Sequence, residues 1–130
     1  NENNNMFFNN EIFEWDSFKD IFYTKYFTNE IPPFFVWLKD EIIGFIGCKT
    51  SETNINDIGI MFFKKFQNRG LGKISLKNFL NIYDKYYYKD NKIIVAQILK
   101  TNIASYKIFT SNNFKINLNK TTNEIYYLTY

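Results

Sequence analysis

Between Ile58 and Tyr88 the chain changes character within a few residues, and that change limits the fold. Ile58–Lys64 is apolar on both faces, as a strand covered on each side must be. From Leu71 to about Tyr88, Leu76, Phe79, Leu80, Tyr83 and Tyr87 recur along one face at helical spacing. The joint between them is Gln67-Asn68-Arg69-Gly70-Leu71-Gly72-Lys73. Its two glycines let the backbone bend tightly and let an anion approach the N–H groups. The first turn of the helix adds N–H donors without intrahelical acceptors and the positive end of the helix dipole. A buried strand, a Gly-rich joint and a helix start together make a phosphate cradle.

The remaining elements are read from apolar spacing and turn chemistry. From about Asn10 to Phe27, Ile12, Trp15, Phe18, Phe22 and Tyr26 recur every three or four residues and predict a helix. Pro32 and Pro33 end it. Phe34–Leu38 and Ile42–Thr50 read as strands around a polar turn at residues 39–41, and Ser51–Asn56 reads as a loop. Ile93–Leu99 is a buried strand. Thr101 or Asn102 caps a second helix running to about Asn112. Asn113 stands where a left-handed residue ends such a helix. Phe114–Leu118 and Glu124–Thr129 read as a closing hairpin. The order is helix, three strands, helix, strand, helix, two strands, within one domain over residues 1–130. Residues 1–9 are expected to fray.

Composition narrows the chemistry. The chain has no His, which excludes a Ser-His-Asp triad, a Cys-His dyad and a His-bearing zinc site within it. Cys48 stands alone, so no internal disulfide is possible, no metal site is expected, and a reducing cytoplasmic setting is indicated. In an apolar strand Cys48 reads as core rather than nucleophile. No apolar run approaches a membrane span, and no secretory signal opens the chain. The first residue is Asn rather than Met, which reads as a piece of a longer protein. A net charge of +3 is too small to argue for nucleic acid. Fifteen Lys stand against the single Arg69, and Asn and Ile abound, which fits an A/T-rich genome more than a function.

Two familiar phosphate loops fail at this joint. A P-loop would need Gly at position 67 and Ser or Thr at 74, which are Gln67 and Ile74. A dinucleotide fingerprint would need Gly at 75, which is Ser75. The pattern present is Gln67-x-x-Gly70-x-Gly72, and about thirty residues on stand Asn102, Ser105, Phe109 and Asn113-Phe114. With the element order from Phe34 onward, these residues resemble the GNAT N-acetyltransferase superfamily over nearly the whole chain.

The resemblance implies an α/β (α+β) fold with a mixed, mostly antiparallel sheet of about six strands and helices on both faces. It implies acetyl-coenzyme A as co-substrate and direct transfer of acetyl to a primary amine on a small molecule, in the cytoplasm, with no metal, nucleic acid or membrane. The backbone of Met61, Phe62 and Phe63 would pair with the pantetheine arm, and a main-chain N–H near Met61 would hold the oxyanion. The N–H groups of Asn68, Arg69, Gly70, Leu71, Gly72 and Lys73 would hold the pyrophosphate. Asn102 would bond a pantetheine amide, with a plain helix cap as the other reading.

With no His, the base must be a carboxylate, a Tyr or a water relay. Asp57 is the candidate, with a solvated loop-end carboxylate as the alternative. Phe109 occupies the place of the family's usual Tyr acid and has no proton to give. Tyr106, three residues earlier, is a weak substitute and reads better as packing. Trp15, Phe18, Phe22, Tyr23, Tyr126 and Tyr127 fall where the superfamily builds its acceptor pocket. The closing segment from Phe114 is similar to bacterial enzymes that acetylate nucleotide-linked amino sugars. Peptide N-termini or lysines are the second acceptor class. A non-catalytic acyl-coenzyme A-binding or protein-interaction module is the third reading, and a homodimer or a neighbouring domain could complete the site.

Overall fold

The computed structural model describes residues 5–8, 11–14, 31–52, 54–88 and 93–130. Two short strands, β1 (Asn5–Phe8) and β2 (Glu11–Glu14), pair as an antiparallel hairpin. This corrects two expectations: residues 5–8 are paired rather than frayed, and the helix does not begin at Asn10. Glu11, Ile12, Phe13 and Glu14 are too few to separate a strand's period from a helix's, and pairing with residues 5–8 makes them a strand. The rest of the expected helix, and Trp15, Phe18, Phe22 and Tyr23 with it, lies outside the described residues.

The main sheet contains β3 (Phe34–Leu38), β4 (Glu41–Glu52), β5 (Ile55–Phe62), β6 (Ile93–Leu99), β7 (Lys115–Ile116) and β8 (Ile125–Thr129). Their spatial order is β3-β4-β5-β6-β8-β7. Every neighbouring pair is antiparallel except β5–β6, which is parallel. Most of the polar loop expected over 51–56 is instead strand. β4 runs on to Glu52, β5 starts at Ile55, and Asn54 takes the left-handed conformation at φ 65°. Asn56 is buried there and accepts a hydrogen bond from Thr50 Oγ1 at 3.2 Å.

Two helices, α1 (Leu71–Tyr86) and α2 (Ile103–Thr110), cover one face of this sheet. α1 contributes Leu76, Phe79, Leu80 and Tyr83, the stripe that its spacing predicts. They meet Ile46, Cys48, Ile58, Ile94, Ala96, Ile98 and Leu128, which alternate along four strands and so share a face. Phe45, Met61 and Val95 are buried on the opposite face.

Both ends of α2 are specified locally. Asn102 Oδ1 accepts from Ser105 N at 3.1 Å, which satisfies a first-turn donor. At the other end Asn113 sits at φ 70°, Phe114 N donates to Phe109 O at 3.2 Å and Asn113 N donates to Thr110 O at 3.3 Å. This is a Schellman stop, and its apolar contact is the edge-on packing of Phe109 against Phe114 at 5.0 Å. The helix therefore ends at Thr110, two residues before the expected Asn112. Of the expected strand 114–118 only Lys115 and Ile116 pair with β8, because Asn117 Oδ1 turns the chain by accepting from Asn119 N and Lys120 N.

Cys48 is fully buried in the core, and burial, then the nearby Asp57 charge, push its thiol far above the ordinary range. Because only the thiolate reacts, the folded protein should resist a disulfide reagent at pH 8 and react once denaturant is added. Rapid labelling of the native chain would contradict this placement.

Candidate active site

The site follows from where one pairing stops. β5 and β6 pair only at Ile55–Asp57 against Ile93–Val95. Beyond the Asp57–Val95 rung, β5 remains paired to β4 and β6 to β8, but not to each other. A gap opens, and a cavity of about 320 Å³ occupies it. The phase of β5 follows from two bonds. Phe63 N donates to Ile43 O at 3.0 Å, and Ile93 N donates to Asn54 O at 2.8 Å. Peptide groups alternate sides along a strand. Odd residues, Met61 and Phe63 among them, therefore turn their N–H and C=O to β4. Ile60 and Phe62 turn theirs to the gap, and both line the cavity.

At one end of the gap lies the Gly-rich joint. Asn68 and Gly70 take left-handed backbone at φ 59° and 74°. A Cβ at Gly70 would meet nothing within 4 Å, so backbone conformation rather than space calls for glycine there. Gly72 is different: a Cβ would come within 2.6 Å of Ile108 Cδ1, so glycine lets α1 close on α2. Asn112, buried, ties the same two helices by donating from Nδ2 to Lys73 O at 3.2 Å and Ile108 O at 2.9 Å.

Gly70 is the N-cap of α1 and brings no side-chain cap, and the first turn holds no acid. The loop N–H groups of Asn68, Arg69 and Gly70 donate to no acceptor among the described residues. Those of Leu71, Gly72 and Lys73 start the helix and have no intrahelical acceptor. All six residues line the cavity, whose charged residues are Arg69 and Lys73. This donor set suits a pyrophosphate. Gln67 anchors the loop, its Nε2 donating to Phe62 O at 3.1 Å. Arg69 is exposed, its guanidinium 5.6 Å from the ring centre of Phe66.

α2 forms another wall through Asn102, Ser105, Ile108 and Phe109. Asn102 caps the helix with Oδ1 and also lines the cavity, and its Nδ2 donates to no acceptor among the described residues. Phe109 is buried against Phe114 and brings no hydroxyl. Tyr106 is not part of the cavity wall; it stacks on Tyr126 with ring centres 4.6 Å apart.

Asp57 is in β5, not at a loop end, and lies outside the cavity wall at the rung where the strands part. Its Oδ1 accepts from Gln97 Nε2 at 3.2 Å. Register puts Asp57, Gln97 and Tyr127 on the face opposite the helices. Lys120 Nζ sits 5.1 Å from the centre of the Tyr127 ring. Tyr126 points the other way, so the two adjacent tyrosines serve different faces.

The sequence reading missed Ile60, Gln97 and Ser105 as cavity residues. Strand phase is the signal for Ile60, but it needs the partner's register. Ser105 was legible as the small residue three beyond Asn102. Gln97 carries no local signal.

The profile of the acetyltransferase (GNAT) domain matches residues 7–115. The chain belongs to the GNAT acetyltransferase family. The Campylobacter jejuni N-acetyltransferase PseH, solved with acetyl coenzyme A, is 26% identical and superposes with a TM-score of 0.61. That match covers 75% of this chain and 65% of PseH, so this GNAT chain spans slightly less than two thirds of that protein's length. A Bacillus anthracis GNAT-family acetyltransferase shares the fold at 19% identity and TM-score 0.69, over 94% of this chain and 77% of its own. The Vibrio cholerae spermidine N-acetyltransferase, solved with CoA and spermine, shares it at 9% identity and TM-score 0.69, over 91% and 75%. No individually curated protein matches the chain in sequence. Among the described residues no helix is long and apolar enough to cross a membrane, and no group of His, Cys, Asp and Glu could hold a metal.

Proposed function

We propose that this GNAT chain is an acetyl-coenzyme A-dependent N-acetyltransferase that acts on a primary amine in the cytoplasm. The observation that carries the reading is the gap beyond the Asp57–Val95 rung, closed at one end by three loop N–H donors without acceptors among the described residues and the three first N–H donors of α1. Those donors suit the pyrophosphate, and the outward peptide groups of Ile60 and Phe62 suit the pantetheine amides as an added strand does. In place of Met61, the N–H of Ile60 or Phe62 is the main-chain donor for the oxyanion, because Met61 N–H turns to β4.

Bound acetyl-coenzyme A supplies an activated acyl thioester. Asp57 takes a proton from the acceptor amine, through water, so that the nitrogen can attack. The neutral nitrogen adds to the thioester carbonyl and forms the new C–N bond, the C–S bond then breaks, and the extra proton left on nitrogen passes through water to the departing thiolate. Phe109 cannot protonate it; a thiolate is stable enough to leave and take its proton from water. An amino sugar on a nucleotide carrier is the acceptor we favour. The Tyr127 ring on the Asp57 face supports it, since an aromatic face suits stacking on a sugar or base.

The test is thermal unfolding with acetyl-coenzyme A, followed by free-thiol release with amino sugars, peptides and polyamines. Ligand at a hundred times Kd should stabilise the fold by about 2.7 kcal/mol. No shift at millimolar ligand removes the reading. A shift without turnover on any acceptor leaves the acyl-coenzyme A-binding module in its place.

Asn102 offers a cleaner check on the cofactor. Asn102→Asp keeps the capping oxygen and loses both Nδ2 donors. It should leave the melting temperature unchanged and weaken acetyl-coenzyme A binding about fivefold to tenfold, the value of one hydrogen bond. Unchanged affinity would reduce Asn102 to a cap.

A further inference from the structure

Gln97 is the residue that links the cavity wall to the carboxylate outside it. It lies on β6, two residues past the last rung shared with β5, and its Nε2 reaches Asp57 Oδ1 at 3.2 Å across the mouth of the gap. Gln97 lines the cavity and Asp57 does not. A carboxylate only accepts, so the amide must present Nε2 to it and hold Oε1 away from it. Asp57 Oδ2 and Gln97 Oε1 have no donor among the described residues. The neighbouring charged and titratable groups on this face are Lys49, opposite Asp57 on β4, and Tyr127, opposite Gln97 on β8, with Lys120 over its ring. Cys48 lies behind, on the helix side of the sheet.

We infer that Gln97 is a positioning residue for the acceptor amine, paired with Asp57 as a two-oxygen clip. A neutral primary amine has two N–H bonds and one lone pair. With one N–H directed to the Asp57 side and the other to Gln97 Oε1, the lone pair is directed away from both oxygens, toward the cavity. Secondary amines, with one N–H, use half the clip and are the poorer acceptors. This inference rests on the acetyltransferase reading above.

The experiment is steady-state free-thiol release by the whole chain and by Gln97→Ala and Gln97→Glu, with each substrate varied and pH scanned. Gln97 is exposed, so both variants should keep the parent melting temperature. Gln97→Ala should lower kcat/KM for the acceptor about tenfold to a hundredfold, and leave KM for acetyl-coenzyme A within about twofold. Gln97→Glu puts two carboxylates within hydrogen-bond reach, so the acidic limb of its rate profile should move up by about one pH unit or more. Parent-like acceptor kinetics in Gln97→Ala with an unshifted limb in Gln97→Glu would overturn the inference alone. Absence of turnover by the parent on every acceptor overturns the acetyltransferase reading and the inference with it.

Discussion

Gly70→Val should weaken coenzyme A binding by about a hundredfold or more while the chain stays folded. Gly70 holds φ 74°, and a residue with a Cβ pays at least about 1–2 kcal/mol there, a β-branched one more. The loop relieves that strain by rotating out of the left-handed region, which turns the N–H groups of Gly70 and Leu71 away from the anion. The fold survives because an added Cβ meets no protein atom within 4 Å. Gly70→Asn is the control. Asn tolerates the left-handed region, as Asn54, Asn68 and Asn113 do in this same chain. It should retain affinity within a few fold. Calorimetric titration with coenzyme A, beside melting curves for both variants, decides the matter. If the Val variant binds as tightly as the Asn variant, the joint is not the cradle.

Asp57→Asn should cut turnover by about a hundredfold to ten-thousandfold, the range that general-base catalysis supplies. Affinity for acetyl-coenzyme A should not change, because Asp57 lies outside the cavity wall. The substitution is nearly isosteric, and the new amide oxygen can still accept from Gln97 Nε2. Lost activity would therefore report the missing base rather than a displaced strand. Single-turnover rates with saturating cofactor separate the chemical step from binding. Undiminished turnover in Asp57→Asn would return the carboxylate to a structural role and leave the proton to water alone.

Local features of this chain were legible because their causes are local. The Schellman stop needs a residue that accepts φ 70° at 113 and apolar partners at 109 and 114, and all three can be read in order. The α1 stripe is a matter of period, and the boundary at Gly70 follows from what glycine permits. The first hairpin was not legible. Four residues such as Glu11–Glu14 are too few to fix a period, and pairing with Asn5–Phe8 decides for strand. The loop expected over 51–56 failed for a related reason, since polar Asn56 is kept in a strand by a hydrogen bond from Thr50 on the neighbouring one.

The missing His remains the firmest statement about chemistry that the amino-acid sequence makes on its own. It leaves a carboxylate, a Tyr or water as the base before any coordinate is known. The Gly-rich joint, both helix ends of α2, the thiol's place in the core and the family likeness belong with it, since each depends on residues close along the chain. Three things were decided only by the tertiary structure. Pairing between β5 and β6 stops at Asp57 and opens the gap. The bond from Phe63 N to Ile43 O decides that Ile60 and Phe62, not Met61, face it. Gln97 meets Asp57 across 40 residues of chain. Each is a matter of register between strands distant in sequence, and a shift of one residue would turn every one of those groups to the other side.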